Sequence, residues 1–128
     1  MSQSRLSDIK KNQKESLFLK EISKLFYQAA LDDKKLQELY ISRVQLSKDK
    51  GICFVFFFSP KGEADFNEKL HDLKLYKPSL RKAIASTIKG RYAPEIVFRY
   101  DNEFEKQSKL EELLDKIKEK DAELNSKQ

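Results

Sequence analysis

Seven consecutive apolar residues, Ile52-Cys53-Phe54-Val55-Phe56-Phe57-Phe58, constrain this chain more than any other segment. The run is rich in aromatic and β-branched residues and is bounded by Gly51 and by Ser59-Pro60-Lys61-Gly62, so it reads as a strand. Both of its faces are apolar. Such a strand belongs in the centre of a sheet, with cover on both sides, at least in part. An aromatic sheet face can serve as an RNA-binding platform, but in a strand this apolar Phe54, Phe56 and Phe58 read as core. The run is also far too short to span a bilayer.

The flanking segments supply the rest of a sheet and its helices. Residues 1–11 are polar and read as a flexible N-terminus. From Asn12 to Leu31, Phe18, Ile22, Leu25, Phe26 and Ala29 recur at spacings of three and four, which marks an amphipathic helix. Leu39 to Leu46 reads as a strand, with Tyr40, Val44 and Leu46 on one side and Leu39, Ile41 and Arg43 on the other. The turn Ser47-Lys48-Asp49-Lys50-Gly51 joins it to the apolar strand as a β-hairpin. A helix follows from Glu63 to Leu75 with Phe66, Leu70 and Leu73 on one face. Pro78 suits the first turn of a new helix, which places a break at Tyr76-Lys77 and a second helix over 78–89, with Gly90 as its C-terminal cap. Pro94 to Tyr100 is a third strand. Ser108-Lys109-Leu110-Glu111 has the form of a capping box for a last helix within 102–120, its stripe being Leu110, Leu113, Leu114 and Ile117. Residues 121–128 read as a flexible tail.

The third strand returns after a long helical crossover, so it can lie parallel to the apolar strand. The expected fold is therefore α+β, with a three-stranded mixed sheet in the order 1-2-3, helices on one face and an additional C-terminal helix.

Charge is unevenly distributed. Net charge is +5, but residues 101–128 hold nine acids and six bases, leaving residues 1–100 at +8. Between Asp72 and Glu95 there is no acid, while Lys74, Lys77, Arg81, Lys82, Lys89 and Arg91 all fall there. A one-signed segment of this length makes a positive field that attracts a polyanion such as nucleic acid; a solvated helix face is the competing reading. On an ideal wheel, Arg81, Lys82 and Lys89 fall within about 100° of one another. Ala85 lies between them, small enough to admit a phosphate backbone. The single cysteine, Cys53, cannot form an internal disulfide, and Met-Ser-Gln-Ser-Arg-Leu-Ser-Asp has no apolar signal core, so a cytoplasmic protein is the default.

The element order, with a broken helix pair before the last strand, resembles type II KH domains over 12–101. Leu80 to Ala85 and Arg91-Tyr92-Ala93-Pro94-Glu95-Ile96-Val97-Phe98-Arg99-Tyr100-Asp101-Asn102 resemble the signature of the bacterial ribosome-binding factor A family; Ser42 to Asp49 resembles its first strand and turn. There is no Gly-x-x-Gly loop: the glycines are Gly51, Gly62 and Gly90, and Tyr76-Lys77-Pro78 stands where the family has a Gly-containing kink. The resemblance implies a factor that binds the immature 30S subunit and its 16S rRNA near the 5′ end and assists late assembly and rRNA processing. It implies no catalysis.

The candidate RNA-binding residues are Lys74, Lys77, Arg81, Lys82, Lys89 and Arg91, with Arg43, Lys48 and Lys50 as a second lobe, for which a solvated turn is an equal reading. Lys10, Lys11 and Lys14 open the first helix, where a solvated face is the stronger reading and rRNA contact the competing one. His71 has no partner for catalysis or metal binding, and Cys53 reads as an inert buried thiol. No catalytic residue, metal, cofactor, membrane contact or small-molecule substrate is expected, and a monomer is. The alternative is a protein-interaction adaptor on the same scaffold. The last helix is open between packing on the sheet or first helix and docking a partner.

Overall fold

The structure, a computed structural model, describes residues 2–88 and 93–126. Helix α1 spans Ser2–Asp32, strand β1 Tyr40–Leu46, β2 Ile52–Phe58, helix α2 Glu63–Lys74, α3 Lys77–Ala85, β3 Glu95–Tyr100 and α4 Asn102–Ser126. The sheet has the order β1-β2-β3, with β1 antiparallel and β3 parallel to the central β2. This is the α+β architecture that the strand order and crossover length lead one to expect.

One face of the sheet carries the core. Cys53, Val55 and Phe57 point into it and are fully buried. Phe57 is its hub, meeting Phe26 and Phe98 edge-on at 5.2 and 5.5 Å and Phe66 in a stack at 5.9 Å. Helix α1 contributes Phe18, Ile22, Phe26 and Ala30, a strict i, i+4 series that keeps one face against the sheet. Leu80 and Ile84 of α3 and Phe66 and Leu73 of α2 complete the layer. Burial raises the Cys53 thiol to about 12, with the Glu15 carboxylate adding to the effect, so it is an inert thiol at neutral pH.

Strand β1 departs from simple alternation. Its register slips between Ile41 and Arg43, leaving Ser42 as the extra residue of a bulge. The bulge reverses the side-chain parity. Leu39 is buried and Ile41 packs on the core together with Val44 and Leu46, while Tyr40 turns out to solvent. The period-two grouping of Tyr40 with Val44 is corrected accordingly. The free edge of β1 is occupied by α1, since the Ile41 N–H donates to the Tyr27 hydroxyl at 3.1 Å and the Leu46 N–H to Glu15 at 3.1 Å.

Four helix limits differ from the sequence expectation. Helix α1 starts at Ser2, ahead of the apolar periodicity. Helix α3 ends at Ala85 rather than at 89, because the Ser86 and Thr87 hydroxyls donate to the Ala83 and Ile84 carbonyls, each at 2.7 Å, and close the helix there. Helix α4 starts at Asn102, not at the Ser108 capping box. Asp101 is its cap, accepting the Phe104 N–H at 3.0 Å, so Ser108 lies inside the helix. It then continues to Ser126, past residue 120.

The break between α2 and α3 needs no glycine. Tyr76, at the junction, has φ −89° and ψ −7°, ordinary right-handed values. Pro78 has no N–H to extend the α2 ladder, and this ends one helix while suiting the first turn of the next. The Tyr76 ring packs against the core.

Candidate nucleic-acid interface

Helix α3 rises from the break with its apolar stripe, Leu80 and Ile84, turned onto α1 and the sheet. Its other side carries charge. Lys77, Arg81 and Lys82 come together with Pro78, Ala85 and Ile96 around a groove of about 670 Å³ between α3 and the start of β3. Arg81 and Lys82 are exposed. The Arg81 guanidinium donates to the Ala93 carbonyl at 3.2 Å, which ties the basic wall to the strand entry. The Lys77 ammonium lies 5.5 Å from the Phe98 ring centroid, at the outer limit of a cation–π contact. Glu95 is the acid of the groove, against three bases. The walls at Pro78, Ala85 and Ala93 are small, so a phosphodiester backbone has room to approach.

The other expected residues divide. Lys74 is exposed at the last position of α2, beside the break. Lys89 and Arg91, with Gly90 and Tyr92, lie outside the described residues. The second lobe does not assemble as one patch. Lys50 holds the left-handed turn position, φ 61°, and lines a cavity with Lys14 between α1 and the segment after α3. Lys48 lines a different cavity, on the opposite face of the sheet. Arg43 also lies on that face, with its guanidinium 4.1 Å above the Phe56 ring.

The face carrying Arg43 differs from the sequence expectation of a buried core. Phe54, Phe56 and Phe58 are only half-buried. Arg43 covers Phe56, and Arg99 of β3 covers Phe54 at 4.7 Å. Phe58 alone of the three meets an aromatic ring of α4, Phe104, at 4.9 Å. Arg99 could have been found by period two, because Ile96, Phe98 and Tyr100 point inward and so aim Val97 and Arg99 outward.

A buried carboxylate fixes the Arg43 side of this face. Asp101 accepts the Ser42 hydroxyl at 2.7 Å and the Arg43 Nε–H at 2.9 Å, in addition to capping α4. Burial would raise this carboxyl, but the Ser42 hydroxyl, the Phe104 N–H and the Arg43 guanidinium outweigh it and hold it below the ordinary aspartate value. The sequence gives no sign of this network, since it exists only because the bulge at Ser42 turns that hydroxyl toward the end of β3.

Taken together, a three-stranded mixed sheet backed by a helix pair that breaks without a Gly-x-x-Gly loop, and a basic groove beside the second helix of that pair, define a type II KH-like domain. The ribosome-binding factor A family model matches residues 10–114. The chain belongs to the ribosome-binding factor A family. It is 31% identical over 105 residues to ribosome-binding factor A of Halothermothrix orenii, covering 82% of this chain and 85% of that one. It is 33% identical over 99 residues to the Xylella fastidiosa protein of the same name, covering 77% and 78%. The crystal structure of ribosome-binding factor A from Thermus thermophilus superposes with a TM-score of 0.55 at 25% identity, covering 69% of this chain and 92% of that one. Among the described residues, no helix is long and apolar enough to cross a membrane.

Proposed function

We propose that this chain is a non-enzymatic assembly factor that binds the immature 30S subunit through 16S rRNA and assists its late maturation and rRNA processing. Family membership supports a ribosomal partner. The observation that carries the RNA reading is the groove where Lys77, Arg81 and Lys82 converge beside small side chains. A cationic groove of this kind engages the phosphate backbone, which gives affinity and salt dependence rather than base specificity. Folded rRNA is in any case recognised largely by shape. Lys74 extends the positive field along the same side, and Lys89 and Arg91 belong to the proposal on sequence grounds.

The test is co-sedimentation with 30S particles across a salt series. Replacing Lys77, Arg81 and Lys82 together by Gln should abolish association at physiological salt. Removal of three phosphate contacts should also lower the slope of log K against log salt by about 2 to 3. Association that survives the triple change refutes the groove as the RNA site. In cells lacking the protein, free small subunits with unprocessed 16S rRNA are expected, and a normal sedimentation profile would refute the maturation role.

A second reading, a protein-interaction adaptor, is favoured by one feature. Leu110, Leu113, Leu114 and Ile117 on α4 are about half-exposed, at 48 to 56%. An interaction carried by that stripe would strengthen or hold with salt, whereas backbone binding weakens steeply.

A further inference from the structure

The outward face of β2 combines aromatic rings, guanidinium groups and open access in a way that the α3 groove does not. In the sheet register Phe54 stands between Gln45 and Val97, and Phe56 between Arg43 and Arg99. The two rings are partly exposed, and their cover is cationic rather than apolar. A shallow cavity of about 320 Å³ opens over them, with Lys11 and Lys48 on its rim. An apolar protein ligand would desolvate these four cations, at high cost. An anionic chain that carries planar rings would satisfy them.

We propose that this face is a second RNA contact, holding one or two unpaired nucleotides of a single strand by stacking. A guanidinium over a phenyl ring can offer its own planar surface to a base, and its edge donates to phosphate. Arg99 is the adaptable member. It makes no ion pair among the described residues, so it can move over a base or aside from one. Arg43 is the fixed member, held by Asp101 at 2.9 Å. Lys11 and Lys48 are placed to meet the phosphates on either side of a stacked base. The carboxylates at the two ends of the face do not oppose this. Asp101 is committed to Arg43 and Ser42, Glu103 is exposed and lies 3.7 Å from the Arg43 guanidinium, and Glu95 lies four pairs from Arg99, toward the α3 groove.

The full chain is titrated with a fluorescein-labelled single-stranded hexanucleotide RNA, and the aromatic ring resonances of Phe54 and Phe56 are followed by NMR. The ring signals should shift on addition of the hexanucleotide and not on addition of an equal-length duplex. Phe54→Leu, which keeps the apolar volume and removes the stacking surface, should weaken hexanucleotide binding at least about fivefold. Phe54→Tyr, which keeps the ring, should bind as the wild type does. Arg99→Gln should weaken binding about as much as Phe54→Leu. Unmoved ring signals, or unchanged affinity in both Phe54→Leu and Arg99→Gln, overturn the proposal. So does a loss of hexanucleotide binding confined to the Lys77/Arg81/Lys82 variant, an outcome that leaves the groove reading intact. Ring signals that respond to a ribosomal protein but not to the hexanucleotide make the face a protein site, which overturns the proposal as well.

Discussion

The two faces of strand β2 are built from the same kinds of residue and have opposite fates. Cys53, Val55 and Phe57 look onto three helices and have no exposed surface, while Phe54, Phe56 and Phe58 look outward and remain partly exposed under two guanidinium groups and the first turn of α4. A phenyl ring in the first setting is held by many close apolar neighbours, and its removal leaves a cavity. In the second setting its neighbours are long charged side chains that can relax into the space. The same residue type is therefore structural on one side of the sheet and available for binding on the other.

That contrast is most directly broken by paired truncations. Phe57→Ala should cost about 3 to 5 kcal/mol, and Phe56→Ala only about 1 kcal/mol, in urea denaturation of the full chain. Equal costs would mean that the outer face is as tightly packed as the inner one. Asp101→Ala removes both the α4 cap and the anchor of Arg43, and should cost roughly 2 to 3 kcal/mol, intermediate between the two rings. Because the Asp101 carboxyl is held below its ordinary value, its contribution is present in full at neutral pH and is lost as pH falls through its folded value. The wild type should thus lose stability more steeply on acidification below about pH 4 than Asp101→Asn does. Parallel pH profiles would show that the carboxylate is not held in this way. The smallest effect belongs to the apolar stripe of α4. Leu113 is 56% exposed, and Leu113→Ala should change stability by no more than about 0.5 kcal/mol, since little burial is lost. A larger loss would show that the stripe is covered in solution.

Much of the inner face was legible. The spacing of Phe18, Ile22 and Phe26, the apolar run of β2 and the positions of Pro60, Pro78 and Pro94 each specify a local conformation, and together they leave few ways to cover the strand. The charge run likewise identified Lys77, Arg81 and Lys82, since no acid lies between Asp72 and Glu95 and a helix wheel places Arg81 and Lys82 in the sector beside Leu80 and Ile84. The outer face was misjudged by the same logic. Hydropathy records that Phe54 and Phe56 avoid water, but not whether carbon or guanidinium supplies the cover. Charge marks Arg43 without giving its place over Phe56, and Arg99 reads along the chain only as part of a strand motif.

The sequence by itself determined the order of elements, the centrality of β2, the break at Tyr76-Lys77-Pro78 and the basic side of α3, since each follows from residue periodicity or from the backbone limits of proline. Only the tertiary structure decided which face of β2 is open, where the last helix begins and which cations share a surface. The last of these depends on one extra residue in β1. The bulge at Ser42 reverses the parity of the strand, swings Ser42 and Arg43 toward Asp101, and thereby places the Arg43 charge over Phe56. A register slip of this kind is fixed by pairing between strands, so no pattern along the chain carries it.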